Sequence, residues 1–121
     1  TEAELDTALA WFARTPAVRE AILTGGDPLM LSPRRLAHIL GALSALRHID
    51  IIRIHSRVPV ADPERITPPL LAALETGKAL FLCVHANHAR EFTEAARAAL
   101  RRLAGAGVAL LSGAVLFAAD A

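Results

Sequence analysis

Cysteine, methionine and tryptophan each occur once in these 121 residues, and tyrosine does not occur at all. A single cysteine, Cys83, provides no disulfide framework and gives no reason to expect a cysteine-based metal site within the chain. A reducing cytoplasm is the default compartment that follows. Lysine is nearly missing as well: Lys78 stands alone, the other basic residues are arginine, and the formal net charge is +1. That balance gives no case for nucleic-acid binding by charge. The longest apolar run, from Ala106 to Ala119, is broken by Gly107, Ser112 and Gly113. It also falls short of the roughly 20 residues a membrane-spanning helix needs, so no membrane span is expected. Neither an initiator methionine nor a charged-then-apolar leader is present, so no targeting segment is expected.

Apolar residues are plentiful, at 54% of the chain, enough to build a buried core. The stretch Ile22-Leu-Thr-Gly-Gly-Asp-Pro-Leu-Met-Leu31 stands out. It reads as a buried parallel strand over residues 20 to 24 that ends at a glycine pair, where backbone and ligand can approach closely. Pro28 would close the strand by removing a ladder donor. Taken alone, Gly25-Gly26-Asp27 is also what an ordinary turn looks like.

The remaining chain repeats the strand-then-helix pattern. Thr1-Glu-Ala-Glu4 has the form of a capping box, with Leu5, Ala8, Leu9 and Phe12 following at helical spacing. Ser32-Pro33 starts a second helix, whose apolar stripe is Leu36, Ile39, Leu40, Leu43 and Leu46. Ile49 to Ile54 is the second predicted strand, and a proline-bearing loop covers Val58 to Ile66. Thr67-Pro68 opens a short helix that stops at Gly77. Ala79 to Val84 is the third strand. Thr93 caps the next helix, with Ala96, Leu100 and Leu103 inward and Arg97, Arg101 and Arg102 outward, and Val108 to Leu111 is the fourth strand. Strands starting near 20, 50, 79 and 108 have the spacing of strand-helix-strand units. The expected fold is α/β, with parallel strands covered on both faces, as in a doubly wound sheet or part of a (β/α) barrel. Both ends read as cut, so a piece of a larger domain is expected.

Polar residues gather just after the predicted strands: Thr24, Gly25, Gly26 and Asp27, then His55, Ser56 and Arg57, then His85, Asn87 and His88, then Ser112. Parallel α/β folds bind ligands at the carboxyl ends of their strands, so these groups are expected to converge on one mouth. Each has a plainer reading too. Asp27 also suits a turn cap; His55 and Arg57 also suit structural partners; His85 and His88 lack the further ligands a zinc site requires. Cys83, apolar-flanked and mid-strand, reads as core.

Four ordered words carry a resemblance: Leu23-Thr-Gly-Gly-Asp-Pro-Leu-Met30, Ile52-Arg-Ile-His-Ser-Arg-Val-Pro59, Pro63-Glu-Arg-Ile-Thr67 and Val84-His-Ala-Asn-His88. From about residue 18 to the end, the chain resembles the lysine 2,3-aminomutase family of radical S-adenosylmethionine (SAM) enzymes. Its His-Ser-Arg form is most similar to the branch that acts on elongation factor P. The resemblance implies a partial (β/α) barrel with a [4Fe-4S] cluster, SAM and pyridoxal phosphate. There, a 5′-deoxyadenosyl radical takes hydrogen from the bound amino acid and the amino group migrates. It implies further that Thr24, Gly25, Gly26 and Asp27 meet the methionyl end of SAM and that His85 lies near it. Arg53, His55, Ser56 and Arg57 would line the cavity. The implied substrate is a small-molecule amino acid such as lysine, or a lysine of elongation factor P, and a homo-oligomer is left open.

The cluster-binding cysteines would lie upstream of residue 1 and the pyridoxal phosphate lysine beyond residue 121. Gly113-Ala114 stands where the family usually carries a glutamine pair word. Two other classes therefore remain open: a degenerate radical SAM-like barrel with a binding role only, and a metal-dependent barrel enzyme using His55, His85 and His88.

Overall fold

The computed structural model describes residues 2–112; Thr1 and the Gly113-Ala114 word lie outside the described residues. Four strands, β1 (Glu20–Leu23), β2 (Ile51–Ser56), β3 (Ala79–Val84) and β4 (Ala109–Ser112), pair in parallel in the order β1-β2-β3-β4. Five helices accompany them: α1 (Glu2–Ala13), α2 (Pro33–Ser44), α3 (Val58–Ala61), α4 (Pro68–Ala73) and α5 (Glu94–Gly105). The register sets Leu23 beside Ile54, His55 beside Cys83 and Val84 beside Ser112.

The helices begin where side chains can cap them. Ser32 Oγ accepts from the Arg35 N–H at 3.1 Å, Thr67 Oγ1 from Leu70 at 3.4 Å and Thr93 Oγ1 from Ala96 at 3.1 Å. Each cap satisfies a donor that the first turn leaves without a partner. Proline follows Ser32 and Thr67 directly, where its missing N–H costs nothing.

Strand order decides how the sheet is covered. Crossovers of one hand between sequential neighbours place successive helices on the same face, because the order never reverses. The buried set agrees: Ala21, Ile52, Ile54, Leu80, Leu82 and Val84 point one way, into Leu36, Leu40, Leu43, Leu70, Ala96, Ala99 and Leu103. The other face of the sheet carries Ile22, Arg53, His55, Phe81, Cys83 and Leu111, with Ile22 47% and Leu111 41% exposed. Among the described residues the parallel sheet is thus open and covered on one face, not on both as its apolar strands led us to expect.

Several boundaries move for physical reasons. β2 starts at Ile51 and runs through His55 and Ser56, so these two are strand residues and only Arg57 follows the strand. β1 stops at Leu23, and Pro28 opens a 3-10 turn over Pro28–Met30 instead of closing a strand. The expected loop from Val58 holds the short helix α3. Arg102 is not on a purely solvated face: Nε donates to the Ile66 carbonyl at 3.0 Å and Nη2 to that of Pro63 at 3.2 Å. Ala99 is buried on α5 and Leu100 only half-buried.

One-sided coverage has a measurable consequence. Leu82→Ala should cost about 2–5 kcal/mol in chemical denaturation, the usual loss for a buried leucine. Ile22→Ala, on the open face of the same sheet, should cost well under half of that. Equal losses would contradict a core confined to one face.

Candidate functional site

The carboxyl rim is built from the turn after β1, the end of β2 and the loop after β3. Gly25 has a φ of 90°, a left-handed conformation that side-chain-bearing residues rarely adopt. A Cβ built on Gly25 or Gly26 would meet no protein atom within 4 Å, so the space above the turn is open. Thr24, Gly25 and Gly26 are all exposed there.

Asp27 fastens this turn to β2. Its Oδ1 accepts from the Leu29 N–H at 3.0 Å and from Ser56 Oγ at 2.7 Å, and its Oδ2 accepts from the Arg57 N–H at 2.8 Å. Ser56 is only 2% exposed, and its Oγ also accepts from the Val58 N–H at 3.0 Å. Asp27 therefore caps its own turn, as its plainer reading has it, and also braces the neighbouring strand.

Arg57 extends the brace outward. Its Nη2 donates to Glu91 Oε1 at 2.7 Å, and Glu91 Oε2 accepts from the Asn87 N–H and, at 2.7 Å, from the His88 N–H. The carboxyl of Glu91 is held below its ordinary value, first by the His88 hydrogen bond, then by that from Asn87 and by the Arg57 charge. Glu91 was missing from the sequence expectations. Its only signal was the spacing His88-x-x-Glu91, a capping box in which histidine replaces the usual serine or threonine. His88 Nδ1 accepts from the Arg90 N–H at 3.1 Å, so His88 serves as the cap of the 3-10 turn Ala89–Glu91.

The histidine grouping differs from the one expected. His55 Nδ1 lies 2.8 Å from His85 Nε2, with the rings stacked at 5.0 Å. The third residue in reach is Cys83, not His88: one ligand atom each from His55, Cys83 and His85 lie within 4.8 Å of one another. Cys83 is a free thiol on the open face, half-buried, and so is not the core residue its flanks implied. His55 is held below its ordinary 6.5 by burial first, then by His85 and Arg53, and so is neutral at pH 7.

A cleft of about 490 Å³ is lined by Thr24, Gly25, Asp27, His55, Ser56, Arg57, His85 and Asn87. Two of the expected site residues are missing from that lining. Gly26 lines a separate apolar groove of about 530 Å³ bounded by α1, β1 and α2. Arg53 shares the open face, but its guanidinium pairs with Glu20 at 2.9 Å, toward the amino end of β1. Lys78 sits at the opposite end of the sheet from the cleft, its Nζ donating to the Leu46 carbonyl at 3.0 Å.

A polar, histidine-lined cleft at the carboxyl rim of a parallel sheet is where α/β folds as a class bind their ligands. Sequence comparison gives the particular family. No family model matches the chain. It is 44% identical over 106 residues to the L-lysine 2,3-aminomutase of Fusobacterium nucleatum, covering 88% of this chain and 25% of the relative. To the L-lysine 2,3-aminomutase of Escherichia coli it is 42% identical over 111 residues, covering 91% of this chain and 32% of the relative. The L-lysine 2,3-aminomutase of Acetoanaerobium sticklandii is 40% identical over 115 residues, 95% of this chain and 28% of that protein. The chain belongs to the lysine 2,3-aminomutase family, and it spans about a quarter to a third of the length of these relatives.

The Glu91 brace predicts a pH dependence. A carboxyl held below 4.5 in the fold contributes stability above that pH, and the contribution is lost as pH falls through the lower folded value. The amide signals of Asn87 and His88 should therefore titrate together with a midpoint below 4.5, and Glu91→Gln should abolish the transition. A midpoint at or above the ordinary value would contradict the brace.

Proposed function

We propose that this chain supplies part of the SAM-facing rim of a radical SAM, pyridoxal phosphate-dependent aminomutase acting on lysine or a lysyl side chain. One observation carries this reading. Seven of the nine residues expected at that site line a single cleft, in a chain 40–44% identical to three L-lysine 2,3-aminomutases. In the same reading the open four-stranded sheet is one part of a partial (β/α) barrel.

The donor chemistry supports some of the implied groups here and not others. The open space above Gly25 and Gly26, with Thr24 exposed beside it, fits the small polar end of SAM. A [4Fe-4S] cluster requires several thiolates, and this chain has only Cys83, so the cluster ligands belong outside residues 1–121. Pyridoxal phosphate needs a lysine at the rim; Lys78 is at the opposite end, hydrogen-bonded to Leu46, and does not fit.

When bound, SAM and the cluster supply the radical chemistry, and the protein supplies position. Asp27 holds the glycine turn and the end of β2 in one arrangement, so the backbone at Thr24 to Gly26 is presented without reorganisation. Neutral His55 fixes the ring of His85 through the Nδ1 to Nε2 contact. Arg57, held by Glu91, keeps the loop after β3 against the cleft and places a positive charge at its edge.

The test uses the polypeptide that carries residues 1–121, reconstituted anaerobically with iron and sulfide. It should cleave SAM to 5′-deoxyadenosine and convert lysine to β-lysine. Thr24→Trp, at an exposed position that lines the cleft, should cut SAM turnover by at least about tenfold with melting unchanged. No cluster and no SAM cleavage in the parent polypeptide would overturn the reading.

A further inference from the structure

We propose that His55, Cys83 and His85 form a binding site for a zinc-class divalent cation on the uncovered face of the sheet. Strand geometry brings the three together. His55 and Cys83 are partners in the β2–β3 register, and His85 lies two residues beyond Cys83, on the same side of an extended chain. The His85 N–H donates to the Ser56 carbonyl at 2.9 Å, so the ladder continues up to this residue and holds it beside β2.

The distances require little movement. One ligand atom from each residue lies within 4.8 Å of the other two, and the two imidazole nitrogens are 2.8 Å apart. Zinc bonds of about 2.0–2.3 Å in a tetrahedron separate neighbouring donors by roughly 3.3–3.6 Å. His55 Nδ1 and His85 Nε2 must part by somewhat over half an ångström, and the sulfur must close by no more than about 1.3 Å, within reach of small χ rotations. All three side chains are at least partly exposed, so no core packing opposes that adjustment.

Two imidazoles and a thiolate select zinc or cobalt over magnesium or calcium, which take oxygen donors. Three protein ligands leave a fourth position for water or a small anion. On binding, the Cys83 thiol loses its proton to solvent as the sulfur–metal bond forms. The proton between the rings moves to the outward nitrogen of the ring that carried it, and no electron is transferred. His88 takes no part, because its Nδ1 caps the turn after β3. The inference goes beyond the SAM reading and does not depend on it, although His55 and His85 line the same cleft and the two ligands would compete.

The 121-residue chain is the right reagent, because its single cysteine makes any thiolate-to-cobalt charge-transfer band assignable to Cys83. Titrating the reduced chain with Co²⁺ should give that band, saturating at one metal per chain with one proton released, and Zn²⁺ should displace it. Cys83→Ser should remove the band. His55→Ala and His85→Ala should each weaken binding by at least about tenfold, while His88→Ala leaves it unchanged. Absence of the band at saturating Co²⁺, or a band of undiminished affinity in both the His55 and His85 variants, would overturn the site.

Discussion

The carboxylate of Asp27 is the constraint on which the rim depends. It lies at the end of the first strand unit, yet two of its three hydrogen bonds go to residues 29 and 30 positions away, Ser56 and the backbone of Arg57. A hydrogen bond to a charged group is worth about 1.5–3 kcal/mol, roughly twice a neutral one. Placed at a strand end, that energy fixes how the glycine turn sits against β2. Ser56 transmits the restraint inward, since its buried hydroxyl also holds the Val58 N–H that begins α3. Arg57 transmits it outward, through Glu91 to the loop carrying Asn87 and His88. Three loops that are far apart in the chain thereby share one polar network.

The same network explains how a sheet covered on one face can present an ordered site. The helix side contains most of the buried apolar surface, and Ser56 is the one polar residue in the buried set of the described residues. The opposite face is free to carry Arg53, His55, Cys83 and His85, side chains that a two-sided core would exclude. The candidate site lies where the rim and the uncovered face meet, at the carboxyl ends of β2 and β3. The larger apolar groove beside α1 shares Thr24 and Asp27 with the rim but has little of its chemistry.

Much of this was readable from residue order alone. The caps Ser32, Thr67 and Thr93, the stripe along α2 and the four strands are local patterns, and local physics decides them. The convergence of Asp27 and His85 on one rim was legible too, because a parallel repeat sends every strand's carboxyl end the same way. Facing was not legible. Cys83 looked buried because Leu82 and Val84 flank it, but neighbours on a strand point to the opposite face, so their burial says nothing about its own. Ile49 reads as strand because it is apolar, and it is indeed buried in the core, but its N–H donates to the Leu46 carbonyl in a turn rather than to the ladder. Glu91 escapes the sequence reading because Arg57 is brought to it only by the fold, and because its local capping box has histidine in place of serine or threonine. Arg102 was misplaced for the same reason: the carbonyls it binds, those of Ile66 and Pro63, lie in another segment.

The most direct test is a double-mutant cycle on Asp27→Ala and Ser56→Ala, with stability measured by chemical denaturation. If the carboxylate and the buried hydroxyl act as one brace, the two losses will be non-additive, with a coupling energy of about 1–3 kcal/mol. Losses that add to within about 0.5 kcal/mol would mean that the strand ends are held together by something else.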